Sequence, residues 1–217
     1  MSSELLALFW SSFLETLAMV GAAGLAGGIV GIPLGIALHV TEAQGILPRP
    51  AANRVLGLVV NAVRSVPFII LLVAVIPFTR FVVGSSIGTA AAIVPLTIAA
   101  APFIARLVET ALREVDTGLV EAAQSMGATN AQIVRKILLP EALPGIVAGL
   151  TISLVSLVGY SAMAGAIGGG GLGDLGIRYG YQRFLPEVMA LVVLVLIVFV
   201  QVVQYLGDQL VRRVSHR

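Results

Sequence analysis

Five stretches of this chain are too long and too apolar to face water, and they limit the folds open to it. A helix needs about 20 apolar residues to cross roughly 30 Å of hydrocarbon. The stretches 16–38, 55–79, 87–105, 143–167 and 188–207 meet that length, and Arg64 is the one charged residue among them. Inside lipid each backbone N–H and C=O must find a partner within the protein, which favours helices for runs of this size. Composition agrees. Of 217 residues, 58% are hydrophobic and 11% charged, against about 45–50% and 25% in a soluble domain. The expectation is an all-α integral membrane protein, a single domain over 1–217 with five transmembrane helices.

Glycines and prolines inside these stretches (Gly27, Gly28, Gly31, Pro33, Pro67, Pro95, Pro102) are tolerated where neighbouring helices cover the backbone. Small residues such as Gly24, Gly28 and Gly31 let helices approach closely. Met1 to Trp10 lacks the basic start of a cleavable signal peptide and reads as a short extension, with Trp10 suited to the headgroup level.

Basic residues set the expected orientation. With the N-terminus outside, the inner segments hold Arg49, Arg54, Arg106, Arg113, Arg135, Lys136, Arg212, Arg213 and Arg217, and the outer ones only Arg80, Arg178 and Arg183. The C-terminus and the connector 106–142, the longest of the chain, are then cytoplasmic. The single lysine, Lys136, stands between Arg135 and Ile137, so no Gly-Lys-Ser/Thr phosphate loop exists here. Cysteine is absent and the net charge is +2, which excludes thiolate metal sites and calls for no nucleic acid.

The connector carries local signals over 114–140. Asp116 is placed to cap a short helix over 117–126, and Gly127 to close it in the left-handed conformation. Thr129 and Gln132 have capping-box spacing for a second short helix, which Pro140 is expected to stop. Ala122 and Ala123 leave one face flat, flanked by Leu119, Val120 and Met126. Such a face suits a socket on another protein or an amphipathic linker lying on the bilayer.

The fixed residues of this stretch are Glu121-Ala122-Ala123, Gly127, Ile137 and Leu139-Pro140. Their spacing resembles the Glu-Ala-Ala loop of permease subunits from binding-protein-dependent ABC importers, with all seven fixed places filled. That resemblance implies a type I importer permease fold whose cytoplasmic coupling helices dock into a groove of a separate ATPase. Glu121, Ala122, Ala123, Gly127, Ile137, Leu139 and Pro140 would then transmit motor closure to the membrane helices. It further implies a homodimer in a bacterial inner membrane, two ABC ATPase subunits and an extracytoplasmic substrate-binding protein. No cofactor is expected on this chain, which would be no enzyme itself; ATP and Mg would be used by the partner.

Arg64-Ser-Val-Pro-Phe-Ile-Ile-Leu-Leu-Val, Ile76-Pro-Phe-Thr-Arg80, Ala91-Ala-Ile-Val-Pro-Leu-Thr, Ala101-Pro-Phe-Ile-Ala-Arg106, Gln132-Ile-Val-Arg-Lys and Val158-Gly-Tyr-Ser-Ala-Met163 are similar to the permeases of methionine importers. The implied substrate is an amino acid, methionine in its D- or L-form.

Arg64 sits well inside its span, where charge is costly, so it should face the bundle interior or water. It either lines a path and attracts an amino-acid carboxylate or anchors helix-end carbonyls. Asn61, three residues earlier, shares its face. In the fourth span Ser153, Ser156, Tyr160 and Ser161 form a polar stripe, with Met163 nearby. A stripe lines a cavity or joins helices by hydrogen bonds; the resemblance puts this helix near the dimer axis. The run Gly165–Gly173 contains a literal G-x-G-x-x-G but follows no strand, so the dinucleotide fingerprint fails. It reads as a flexible outer turn, with Asp174, Arg178, Tyr179, Tyr181 and Arg183 on an exposed loop; Asp174, Arg178 and Arg183 are the candidates for binding-protein contact. His39 and His216 stand alone, and no metal site is expected.

An ion-coupled secondary amino-acid transporter is the rival reading. It normally carries an intramembrane acid, whereas Glu15, Glu42, Glu109, Glu141 and Glu187 are expected at helix ends or in loops, and no inverted repeat is visible. An intramembrane enzyme would want a nucleophile–base pair or metal ligands, and a channel would leave the seven-place pattern unexplained.

Overall fold

The computed structural model describes residues 3–215, and among them every regular element is helical. The expectations for His216 and Arg217 fall outside the described residues. Four helices are long and apolar enough to span a membrane: α1 (Ser3–Val40), α5 (Thr89–Arg113), α8 (Leu139–Ala164, within a continuous run from Asn130) and α10 (Pro186–Val214). A bent pair supplies the fifth, made of α2 (Pro50–Ser65) and α3 (Phe68–Ala74) and followed by α4 (Ile76–Val83).

That bend departs from the straight rod expected over 55–79. The axes of α2 and α3 differ by 103°. Val66 and Pro67 are both extended, with ψ of 126° and 137°. The cause is local: the proline ring disfavours helical backbone at the residue before it and removes an N–H. Pro77, by contrast, sits in the first turn of α4, where its missing donor costs nothing.

α1 and α5 form the spine of the bundle, and glycine makes their contact close. A Cβ at Gly31 would stand 2.6 Å from the Ala101 carbonyl oxygen, and one at Gly35 2.5 Å from that of Ala105. Spaced four apart, these glycines share one face of α1 and meet the alanines of α5, the small-residue packing that membrane helices use. Met19, Leu96, Ile104, Leu112 and Leu157 fill the core between α1, α5 and α8. The same core continues without a gap into Ala123, Ile133 and Leu138 of the connector between α5 and α8. The connector is therefore packed onto the membrane bundle rather than tethered to it.

Gly165–Gly173 is not the loose outer turn expected from its glycines. It forms a π-turn over Gly165–Gly169 and the short helix α9 (Gly171–Leu175), with Leu172 and Leu175 buried. Glycine permits the close approach: a Cβ at Gly165 would lie 2.5 Å from the Asp174 nitrogen. Glu15 and Thr16 of α1 then accept the N–H groups of Gly171 and Leu172 at 2.7 and 2.9 Å. α1 begins at Ser3, which puts Glu15 inside the helix and not at its end.

Candidate functional site

The connector between α5 and α8 is built from its caps. α6 (Thr117–Ser125) starts at Asp116, whose Oδ1 accepts from the Gly118 N–H at 2.7 Å. Gly127 ends it with φ +80°, and the Ala128 N–H returns to the Ala123 carbonyl at 3.0 Å. α7 (Asn130–Ile133) opens with the Thr129–Gln132 capping box: the Thr129 N–H donates to Gln132 Oε1 at 2.8 Å and the Gln132 N–H to Thr129 Oγ1 at 3.4 Å. These three local expectations agree with the structure.

The expected stop at Pro140 does not occur. A π-turn over Val134–Leu138 widens the helix, and the Leu139 N–H reaches back to the Val134 carbonyl. One extra residue per turn makes room for a proline at the first turn of α8. α7 is thus continuous with α8 in one helical run, Asn130–Gly169.

The seven patterned residues divide by burial. Glu121, Ala122, Gly127 and Pro140 are exposed, Ala123 is 2% exposed, and Ile137 and Leu139 are half-buried against the core. The flat face expected of both alanines therefore belongs to Ala122 alone, because Ala123 is the packing contact of α6. Beside Ala122 stand Leu119 and Met126, 45% and 81% exposed. Residues 119, 122 and 126 repeat at helical spacing along one face, the anchor pattern of a helix laid into a groove.

Seven residues before Asp116 lies a charge cluster. Glu109, expected at a helix end, is 2% exposed within α5. Its Oε2 accepts from Arg106 Nη1 at 2.6 Å and its Oε1 from Arg113 Nη2 at 2.7 Å. Arg113 Nε also reaches Glu42 of the α1–α2 connector at 2.9 Å. Arg106 Nη2 donates to Asn61 Oδ1 at 3.1 Å and to the Gly57 carbonyl at 3.3 Å. Asn61 is thereby tied to Arg106 rather than grouped with Arg64. The sequence does carry a signal for this cluster, since Arg106, Glu109 and Arg113 are spaced by three and four along one helix.

Arg64 has a different setting. It stands in the last turn of α2, beside the break, and makes no ion pair or hydrogen bond among the described residues. The carbonyl anchoring considered for it is absent. A cavity of about 170 Å³ opens there, lined by Arg64, Val66, Phe68, Phe103 and Tyr160, among others. Tyr160 stacks on Phe68 with ring centroids 4.6 Å apart. The structure brings Arg64 and Tyr160 together, and Phe68 and Phe103 join them. The rest of the stripe separates. Ser161 is buried with its hydroxyl on the Val158 carbonyl, Ser156 bonds the Ile152 carbonyl, and Met163 is exposed. Ser153 is 1% exposed and lines an apolar groove with Gly21, Gly24 and Gly28 of α1.

On the other side, Asp174 pairs with Arg178, and Arg183 lies over the Tyr179 ring at 4.3 Å. The exposed loop expected here is helical as far as Gln182, so Asp174, Arg178, Tyr179 and Tyr181 stand on α9 and the π-helical turns Gly176–Gln182. The most exposed large apolar side chains there are Tyr181 and Phe184, at 68% and 85%, and Phe184, with φ +54°, was no candidate from sequence. Among the described residues no group of acids and histidines could hold a metal ion.

Comparison with known proteins follows this geometry. The family described as "Binding-protein-dependent transport system inner membrane component" matches residues 31–216. The "Probable D-methionine transport system permease protein MetI" of Vibrio cholerae serotype O1 is 62% identical over 203 residues, 94% of this chain and 90% of the relative. The "D-methionine transport system permease protein MetI" of Escherichia coli strain K12 is 56% identical over 165 residues, 76% of each chain. A solved chain of the MetNI methionine ABC transporter in an inward-facing conformation superposes with a TM-score of 0.98 at 52% identity, covering 100% of both chains. A chain of an amino acid ABC transporter solved with histidines gives 0.80 at 21% identity, over 97% of this chain and 95% of that one, a likeness of fold alone.

Proposed function

The chain belongs to the family of binding-protein-dependent transport system inner membrane components, and from that membership we infer that it is the permease subunit of an ATP-driven importer of methionine. The names of relatives at 62% and 56% identity support the substrate. The single observation that carries the coupling role is the exposed face Leu119, Ala122 and Met126 on a helix packed against α7 and the π-turn after it, which run on as one rod into α8. Exposed apolar residues in a row mark a surface meant to be covered. The cover is an ABC ATPase, one for each of two copies of this chain, with ATP and Mg bound by the ATPase.

Glu121, Ala122 and Gly127 form the docked surface, while Ala123, Ile137 and Leu139 fix it to the bundle and Pro140 starts the rod. Motor closure moves α6 and α7 as rigid levers, a switching of packed bodies. On the path, the break between α2 and α3 supplies a polar station of the kind that discontinuous helices provide in transporters. The unneutralised guanidinium of Arg64 suits the substrate carboxylate, and Phe68, Phe103 and Tyr160 suit an apolar thioether side chain. Ser156 and Met163 lie on the face of α8 that would meet the dimer axis, whereas Ser161 serves packing. The arginine distribution supports an outward N-terminus and a cytoplasmic C-terminus in the bacterial inner membrane. An extracytoplasmic binding protein then meets the outer loop, where Tyr181 and Phe184 are better contacts than Asp174, Arg178 and Arg183, whose charges are already engaged.

The test is methionine uptake into vesicles holding this chain, its ATPase and the binding protein. ATP-dependent uptake that vanishes when the ATPase is left out is expected. Uptake by the chain alone, driven by an ion gradient, would overturn the reading in favour of a secondary transporter.

A further inference from the structure

The cluster around Glu109 joins three parts of the chain that apolar packing joins weakly. α2 has one buried residue, Val60, which packs with Leu38 and Ala105 in a small cluster of its own. Flanking Val60, the Gly57 carbonyl and the Asn61 side chain both receive Arg106 Nη2. The other terminal nitrogen of Arg106 is held by Glu109, whose second oxygen is held by Arg113, and Arg113 reaches Glu42 on the connector between α1 and α2. α5 runs on from Glu109 to Arg113 without interruption, and Asp116 then caps the coupling helix α6.

Burying charges in this way is weak evidence for a stabilising purpose, since apolar replacements of buried ion pairs are often neutral or better. What the arrangement does supply is a fixed register between α2 and α5. We propose that Glu109 is a positioning residue for transport: through Arg106 it locks the cytoplasmic half of α2 to the base of the coupling loop. When the loop is displaced, α2 is carried with it, and the cavity beside Arg64, one turn beyond Asn61, changes shape. The proposal rests on the permease reading above, because it needs a motor that moves the loop.

Asn61→Leu removes the shorter, side-chain half of the link to α2 and leaves only the 3.3 Å bond to the Gly57 carbonyl, with Glu109 still paired with both arginines. Asn61→Asp keeps an acceptor for Arg106 and adds a charge to the bond. Both are compared with the unaltered chain in vesicles containing the ATPase and binding protein, measuring methionine taken up per ATP hydrolysed and the KM for uptake. For Asn61→Leu the ratio should fall at least about fivefold, the lower end of ordinary coupling between sites, with ATP hydrolysis and KM kept; Asn61→Asp should retain the ratio. Glu109→Gln should lower the ratio too, and if that variant fails to assemble, the Asn61 pair decides alone. An unchanged ratio for Asn61→Leu overturns the proposal. So does a raised KM in both Asn61 variants with the ratio intact, which would make Asn61 a lining residue of the path. If the unaltered chain neither retains an ATPase nor transports, the permease reading fails instead.

Discussion

The base of the bundle, where α5 runs into the connector, and the break in the middle of the second span treat charge and packing in opposite ways. At the base, Arg106 and Arg113 share Glu109, and three segments are joined by bonds of 2.5–3.3 Å. At the break, Arg64 faces a cavity of about 170 Å³ with aromatic walls and no counter-charge. A neutralised cation fixes a joint, whereas one left open in a low-dielectric setting is costly unless water or a passing anion meets it. On the proposed function the difference separates a region that would transmit force from one that would handle cargo: rigid polar joints and continuous helices lie next to the proposed docking face, and the discontinuous helix lies at the proposed path.

Removing charge from each region should therefore have opposite consequences. Glu109→Leu leaves Arg106 and Arg113 without their shared partner. Breaking one side of a fully buried pair costs about 3–5 kcal/mol; because Arg106 and Arg113 are partly exposed and Arg113 keeps Glu42, the loss should sit at or below the lower value, read as a lower thermal midpoint of the purified protein. Next in size, Gly127→Val forces a β-branched residue into the left-handed conformation at φ +80°, a cost of about 1–2 kcal/mol. It also puts bulk on the docking face, so uptake should fall while ATP hydrolysis continues; normal uptake would refute the coupling role of that turn. Arg64→Met removes the open charge. Its thermal midpoint should stay put, while methionine uptake drops about tenfold, equivalent to about 1.4 kcal/mol. A large loss of stability there would erase the contrast, because it would mean that Arg64 is also a joint. The smallest effect belongs to Asp116→Ala, which removes one helix cap worth about 1 kcal/mol and should modestly lower uptake at raised temperature.

The base was far more legible from sequence than the break. Caps are local, so Asp116, Gly127 and Thr129 with Gln132 announce themselves within four residues. The apolar stretches are equally direct, because lipid leaves few alternatives. Pro140 misleads, since the rule that proline ends a helix assumes the ordinary hydrogen-bond register, and the π-turn over Val134–Leu138 changes it. Pro67 misleads in the other direction: an apolar run looks the same whether it is straight or bent by 103°. Glu109 and Glu15 were misplaced because α5 and α1 run well beyond the apolar stretches that announce them, to Arg113 and from Ser3, and the glycine run because its flexibility is spent on close packing against α8 and α1.

The measurement that bears most directly on the central claim is retention of the ATPase by a chain carrying Leu119→Asp and Met126→Asp together. Both side chains are exposed, so folding and thermal stability should be unchanged. The account predicts that the unaltered chain co-purifies with its ATPase and that the double variant loses it. A double variant that keeps the ATPase in full and still imports methionine would contradict it.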